Sequence, residues 1–298
     1  MKDRLELYQE RLHLESAVLR LIDHEDASVA VTYHVELPSR EQLILKICPR
    51  DPDYHREVYF LERLAGQVAV PKVVKLVPPS AEVDGAILME CLPGALLGHA
   101  GLTSALAFEI GRTLAQVHQN RTPGYGDITR PQDLSPDARV HFSLKFHEGL
   151  EECAQRLPSS LIDQCREYFQ ERLPLLLAMD GPCLVHRDFR PGNIIVLNDH
   201  LQGVIDWAGG RASFAEEDFC PLEHGEWKID AASKKGFLEG YASVRAVPAY
   251  DAVMPLLRLS RAVATVGFMI KSGRWQDAGA VPYQFNLQYI EGLLRRGQ

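Results

Sequence analysis

The spacing of apolar and polar positions divides the chain into a β-rich first third and a mostly helical remainder. Residues 2–22 set Leu5, Leu12, Leu19 and Leu21 among charges, which predicts an opening amphipathic helix. His24-Glu25-Asp26-Ala27-Ser28 breaks that pattern. Two β-rich runs follow at 29–37 and 42–47, and Pro38-Ser39-Arg40 between them predicts an antiparallel hairpin. A helix is expected over about 54–64, then strands at 70–76 and 85–90 around Pro78-Pro79-Ser80. Cys91-Leu92-Pro93-Gly94 is a turn-rich connector and marks the boundary between a unit at 1–91 and one at 92–298. Beyond it, helical spacing recurs at 103–118, 138–156, 161–179, 228–244, 250–271 and 281–296.

One stretch interrupts the helical region. Leu184-Val185-His186-Arg187-Asp188 leads into Asn193 and an apolar run, Ile194 to Leu197. Asn198-Asp199-His200 is turn-forming, and a second apolar run ends at Ile205-Asp206-Trp207. Such a hairpin brings Asn193 at its entrance beside Asp206 at its exit. The spacing His-x-Asp-x4-Asn, with a carboxylate thirteen residues after the Asn, is the catalytic-loop and metal-site layout of phosphoryl-transfer enzymes. A hydroxyl attacking a γ-phosphate needs an acceptor for its proton, which Asp188 can supply. Mg²⁺ prefers hard oxygen ligands, so one amide oxygen from Asn193 and one carboxylate from Asp206 suffice when phosphate oxygens complete the shell. The plainer view makes Asp188 and Asn193 turn-formers and Asp206 a strand end. It leaves both the spacing and the apolar hairpin unexplained.

These residues resemble the aminoglycoside phosphotransferase and choline kinase group, which commonly shows His-Gly-Asp-(Leu/Phe)-x-x-x-Asn followed by Ile-Asp-(Trp/Phe/Tyr). Arg187 stands at the usual Gly, and Arg190 where many relatives have His. The resemblance implies an α+β, two-lobed, protein-kinase-like fold with a small antiparallel-sheet N-lobe that binds nucleotide and a mainly helical, catalytic C-lobe. It implies ATP and Mg²⁺ as cofactors and a small-molecule hydroxyl as acceptor. His186 and Asp218 are then structural supports of the catalytic loop. Leu-Met-Glu-Cys-Leu-Pro-Gly is similar to the group's hinge, so that the Glu90 carbonyl and the Leu92 N–H would bond adenine and Met89 would wall the pocket.

Lys46 lies inside an apolar strand, where an unpaired ammonium is costly to bury. Glu57 on the following helix offers a partner, and the pair matches the strand-Lys and helix-Glu arrangement that positions α- and β-phosphates. Read alone, Lys46 could equally be an edge-strand charge and Glu57 a solvated helix residue. The expected phosphate loop departs from the usual pattern: no glycine occurs between Asp23 and Tyr33, and Ser28 is the candidate donor there. That gap motivates a rival reading, a nucleotide-binding pseudokinase without turnover. A metal-dependent hydrolase is a further rival, but it leaves Lys46 and the hinge unexplained.

Only eleven residues separate Asp206 from Asp218, too few for a peptide-docking activation segment, so a small acceptor is favoured. Six acids between Glu216 and Asp230 would attract a cationic acceptor if they lined its site, with Trp207 or Trp227 stacking on it; otherwise they form a solvated acidic helix start. The formal net charge of −8 on 298 residues argues against non-specific nucleic-acid binding. Six cysteines lack metal-ligand spacing and suggest a reducing, cytoplasmic setting. No apolar window approaches a membrane span, and the N-terminus lacks a signal peptide's apolar core.

Overall fold

The computed structural model describes residues 4–22, 30–98, 101–225, 227, 229–276 and 280–296. The first lobe runs α1 (Arg4–Leu12), β1 (Val18–Leu21), β2 (Val31–Glu36), β3 (Gln42–Cys48), α2 (Asp51–Leu64), β4 (Val73–Val77) and β5 (Gly85–Glu90). Its five strands form an antiparallel sheet in the order β1-β2-β3-β5-β4. Strand periodicity sorts the side chains. Leu43, Leu45 and Ile47 of β3 join Ala86 and Leu88 of β5 under Tyr8 and Leu12 of α1. The alternate positions, Ile44, Lys46 and Cys48, point to the other face, toward α2 and the second lobe. Lys46 therefore reaches the cleft because its neighbours fill the opposite core.

The single opening helix expected over 2–22 is not what forms. α1 stops at His13, which takes a left-handed backbone with φ 59°, and residues 18–21 pair antiparallel with β2 instead. Leucines seven residues apart fit a helix, but a strand there satisfies its backbone groups against the 33–36 segment, which local spacing cannot foresee. The hairpin of β2 and β3, the helix after it and the strands β4 and β5 follow the expected order. Ser28 and the rest of the expected phosphate loop lie outside the described residues.

After the connector the chain forms β6 (Ala95–Leu96), α3 (Ser104–His118), α4 (Ala138–Cys153), α5 (Ser159–Arg172), β7 (Cys183–Val185), β8 (Ile194–Leu197), β9 (His200–Val204), β10 (Arg211–Ser213), α6 (Cys220–His224), α7 (Ala231–Ala242), α8 (Met254–Lys271) and α9 (Val281–Arg296). The α+β, two-lobed architecture is the expected one. Thr103 caps α3 through Leu106 N–H, and Asp137 and Asp230 cap α4 and α7 in the same way. One large core runs from Phe60 and Leu64 of α2 through Phe189 and Trp207 into the helices of the second lobe. Among the described residues, no helix is long and apolar enough to cross a membrane.

Helices α3 and α7 approach so closely that glycine is required between them. A Cβ on Gly240 would stand 2.0 Å from the Phe108 carbonyl oxygen, and one on Gly111 would stand 1.9 Å from that of Phe237. Alanine gains up to about 1 kcal/mol in a helix, but a backbone contact that short cannot yield without parting the helices. Gly240→Ala is expected to destabilise the fold by about 1–3 kcal/mol, read as a lower urea midpoint. An unchanged midpoint would mean that the seam is looser than described.

Candidate active site

The apolar hairpin forms as β8 and β9, closed by Asn198 and Asp199 with φ of 51° and 60°. Ile194 pairs with Val204 at its base, and Ile205 N–H donates to the Asn193 carbonyl at 2.9 Å. Asn193 and Asp206 are thus neighbours across the hairpin mouth. Asn193 Nδ2 donates to the Asp188 carbonyl and to Asp188 Oδ2, both at 2.8 Å. Only the amide nitrogen can serve two acceptors, so Oδ1 is left for another partner.

Lys46 Nζ lies 2.8 Å from Glu57 Oε2 and 2.8 Å from Asp206 Oδ1. Burial opposes the ammonium most strongly, but Glu57 and then Asp206 outweigh it and hold the Lys46 pKa above its ordinary value. The same burial raises Glu57 despite the lysine beside it, whereas the Lys46 charge lowers the half-exposed Asp206. Phe60, one helical turn from Glu57, stacks on Trp207 with centroids 5.4 Å apart. That contact fixes α2 against the turn that carries Asp206.

Below the catalytic loop lies a buried layer. Asp218 accepts from the N–H groups of His186 (2.7 Å) and Arg187 (2.5 Å), and His118 Nε2 stands 3.1 Å away. His118 is itself held by the Tyr241 hydroxyl at 2.9 Å. His186 Nε2 donates to the Ile205 carbonyl at 3.0 Å, while its Nδ1 accepts from Asp188 N–H at 3.3 Å. Arg187 takes a left-handed backbone, φ 69°, at the position where glycine is usual in the resembled group. Such a conformation costs a non-glycine residue about 1–2 kcal/mol; its short bond to Asp218 and an ion pair from Nε to Glu217 at 2.9 Å hold it there.

Asp188 is clamped by two arginines. Arg261 of α8 donates to Oδ1 at 2.9 Å, and Arg190 Nε donates to Oδ2 at 3.0 Å. Burial alone would raise this carboxyl, but Arg261 and then Arg190 hold it well below the usual carboxylate range. It stays ionised at any working pH. With Arg190 and Asn193 on Oδ2 and Arg261 on Oδ1, Oδ1 carries fewer bonds than Oδ2 among the described residues.

Lys46, Glu57, Met89, Glu90, Leu92, Asp188, Asn193 and Asp206 all line one cleft of about 1340 Å³ between the lobes. Single-ligand pockets run to about 1,000 Å³, so the cleft has room for a nucleotide and a second small molecule. Residues 9–256 match the model of the phosphotransferase enzyme family, APH. The chain belongs to that family. A homoserine kinase of Rhizobium rhizogenes (strain K84) is 30% identical over 200 residues, which is 62% of this chain and 58% of that protein. The match therefore spans less than two thirds of that relative's length. Among solved structures, aminoglycoside phosphotransferase APH(4)-Ia superposes with a TM-score of 0.77 at 13% identity over 99% of both chains. A thermostable mutant of it in ternary complex with AMP-PNP and hygromycin B gives 0.73 at 13% identity over 98% of both. Spectinomycin phosphotransferase APH(9)-Ia, bound to ADP and spectinomycin, gives 0.66 at 14% identity over 99% of this chain and 98% of its own. At these identities the likeness is one of fold.

Within this member of the family, several residues near the site carry no local signal in the sequence. Arg261 stands 73 residues from Asp188 on a helix whose pattern reads only as amphipathic. His118, the last residue of α3, is fully buried against Asp218. The acidic run after Glu216 does not line the cleft where it is described. Glu216 accepts from Asp180 N–H, Glu217 holds Arg187 and Ser213, Glu223 pairs with Lys234, and Asp230 caps α7. Trp207 and Trp227 are buried at 0% and 2% exposure and cannot stack on a substrate.

Burial on its own would raise Asp218, yet the His118 hydrogen bond and the backbone N–H of His186 hold it below its ordinary value. A depressed carboxyl contributes stability that is full above its unfolded pKa, about 3.9, and is lost as the pH falls through the folded value. Asp218→Asn is therefore expected to lower the melting temperature at pH 7 and to close that gap below about pH 4. Melts from pH 7 to pH 3 check this; a gap that stays constant would remove Asp218 from the role.

Proposed function

We propose that the protein transfers the γ-phosphate of ATP to a hydroxyl of a small molecule. The observation that carries the reading is Lys46 Nζ at 2.8 Å from both Glu57 and Asp206, which joins the small-lobe sheet to the hairpin holding Asn193 and Asp188. In this reading residues 1–91 are the nucleotide-binding lobe and 92–298 the catalytic and acceptor-binding lobe. Lys46, steadied by Glu57, orients the α- and β-phosphates. The Glu90 carbonyl and the Leu92 N–H bond adenine against Met89, and Ser28 belongs to the phosphate loop.

The donor chemistry fits magnesium. Asn193 Oδ1 is left open by the amide's two donations, and Asp206 keeps one oxygen beyond its bond to Lys46. These two residues would hold the ion, whose charge neutralises phosphate oxygens during transfer. Asp188 aligns the acceptor hydroxyl through Oδ1 and takes its proton as the new P–O bond forms. Its low basicity makes orientation the larger part of its contribution. His186 and Asp218 act below it by keeping the loop in place.

The acceptor is small, in keeping with the eleven residues between Asp206 and Asp218. The name of the 30%-identical relative makes homoserine one candidate, and the structural neighbours' titles make aminoglycosides another. The proposal includes a cytoplasmic setting, where ATP is abundant and six free thiols stay reduced.

Asp188→Asn is expected to cut turnover about 10²–10⁴-fold while leaving nucleotide affinity largely intact. Steady-state kinetics with nucleotide titration checks this, and near-normal turnover would remove Asp188 from the reaction. Lys46→Met is expected to weaken ATP binding, because it removes the ammonium that faces the phosphates and leaves two carboxylates that repel them. Calorimetry with AMP-PNP and Mg²⁺ reads that loss; unchanged affinity would argue against a nucleotide in this cleft.

A further inference from the structure

The cleft contains a charge that the phosphotransfer residues do not use. Arg211 opens β10 opposite Val185 and is only 8% exposed. It lines the cleft, yet its side chain makes no hydrogen bond or ion pair with any described residue. No fully buried polar side-chain atom among the described residues lacks a partner, so the unbonded nitrogens of Arg211, a residue that lines the cleft, keep some exposure. A guanidinium has five donors and no acceptor, and holding one in a largely buried site without an anion is costly.

The other buried or half-buried cations of the cleft are answered. Lys46 has Glu57 and Asp206, Arg56 has Asp53 and Asp127, Arg187 has Glu217, and Arg190 has Asp188. Arg130 also lines the cleft without an ion pair to a described residue, but it is exposed to solvent, whereas Arg211 is buried. Its position is also on the reacting side. Val185, its strand partner, is three residues from Asp188, and the neighbouring Ala212 exchanges backbone bonds of 2.8 and 3.0 Å with Gly126, between the cleft residues Tyr125 and Asp127. His141 lines the same cleft and is pushed down to about 4, first by burial and then by the Arg187 and Lys145 charges, against the opposing charge of Asp127.

We propose that Arg211 binds an anionic group, a carboxylate or a phosphate, carried by the hydroxyl acceptor. The inference rests on the phosphotransfer reading and deepens it: the substrate class is hydroxy acids or phosphorylated alcohols, not polycationic antibiotics. A planar guanidinium fork matches either anion in two parallel hydrogen bonds. Asp188, held by its own arginines, is left to meet the hydroxyl at the other end of the same molecule. The described acids of the run that starts at Glu216 do not add to the negative charge of the cleft, because none of them lines it.

The test first fills the nucleotide's own phosphate contacts with AMP-PNP and Mg²⁺. Acetate and inorganic phosphate are then titrated separately against wild type, Arg211→Gln and Arg211→Lys, with melting temperature as the readout. At least one anion is expected to stabilise wild type saturably, with apparent affinity lost about tenfold or more in Arg211→Gln and partly kept in Arg211→Lys. A response to acetate assigns a carboxylate, and one to phosphate a phosphate. Equal responses in wild type and Arg211→Gln, or none in wild type, overturn the proposal. Turnover on homoserine, its carboxamide and hygromycin B gives a second readout: preference for either of the last two overturns it, and a KM for homoserine raised about tenfold or more in Arg211→Gln supports it. Should AMP-PNP itself fail to stabilise wild type, the phosphotransfer reading fails, and the anion titration is still read without nucleotide.

Discussion

The ammonium of Lys46 sits between two carboxylates from distant parts of the chain, Glu57 on α2 and Asp206 at the mouth of the β8–β9 hairpin. The buried ammonium depends on these carboxylates, and burying Glu57 without it is unfavourable in turn, whereas Asp206 stays half-exposed. The triad therefore couples the sheet of the small lobe to the hairpin of the large one. Because β3 alternates, Lys46 can reach this place only if Leu45 and Ile47 pack under α1. Because Phe60 stacks on Trp207, Glu57 is held at the distance the ammonium requires.

A second constraint lies beneath the first. Asp218 receives two successive backbone N–H groups of the catalytic loop, so the loop's shape is set by one buried carboxylate. That arrangement lets Arg187 hold a left-handed backbone and frees its side chain to pair with Glu217. The loop thereby gains a guanidinium that lines the cleft. Arg190 and Arg261 bond Asp188 directly, and Glu216, Glu217 and Asp218 serve as internal bracing.

Much of the site was legible in the sequence because its parts are local. His186, Asp188, Asn193 and Asp206 lie within 21 residues, and the apolar runs flanking Asn198-Asp199 were enough to predict the hairpin that joins them. Lys46 and Glu57 were legible for a different reason: a charge in an apolar strand demands a partner, and the next helix held one. The opening segment was misread because leucine spacing alone cannot tell a helix from a helix followed by an edge strand.

The residue types and their spacing determined the β-rich first third, the helical remainder and the hairpin that joins Asn193 to Asp206, and the resemblance those residues carry implied the two-lobed class. What only the tertiary structure decided is which charges answer one another. The acids from Glu216 on could have faced a substrate or the interior; Glu216, Glu217 and Asp218 turn inward because backbone N–H groups, Arg187 and His118 meet them there, while Glu223 pairs with Lys234 and Asp230 is an exposed cap of α7. Arg261 and Arg211 carry no pattern of their own. Their meaning comes from the long-range packing of α8 and β10 against the catalytic loop, and pairing across such distances in the chain is set by the folded core, not by neighbours in the sequence.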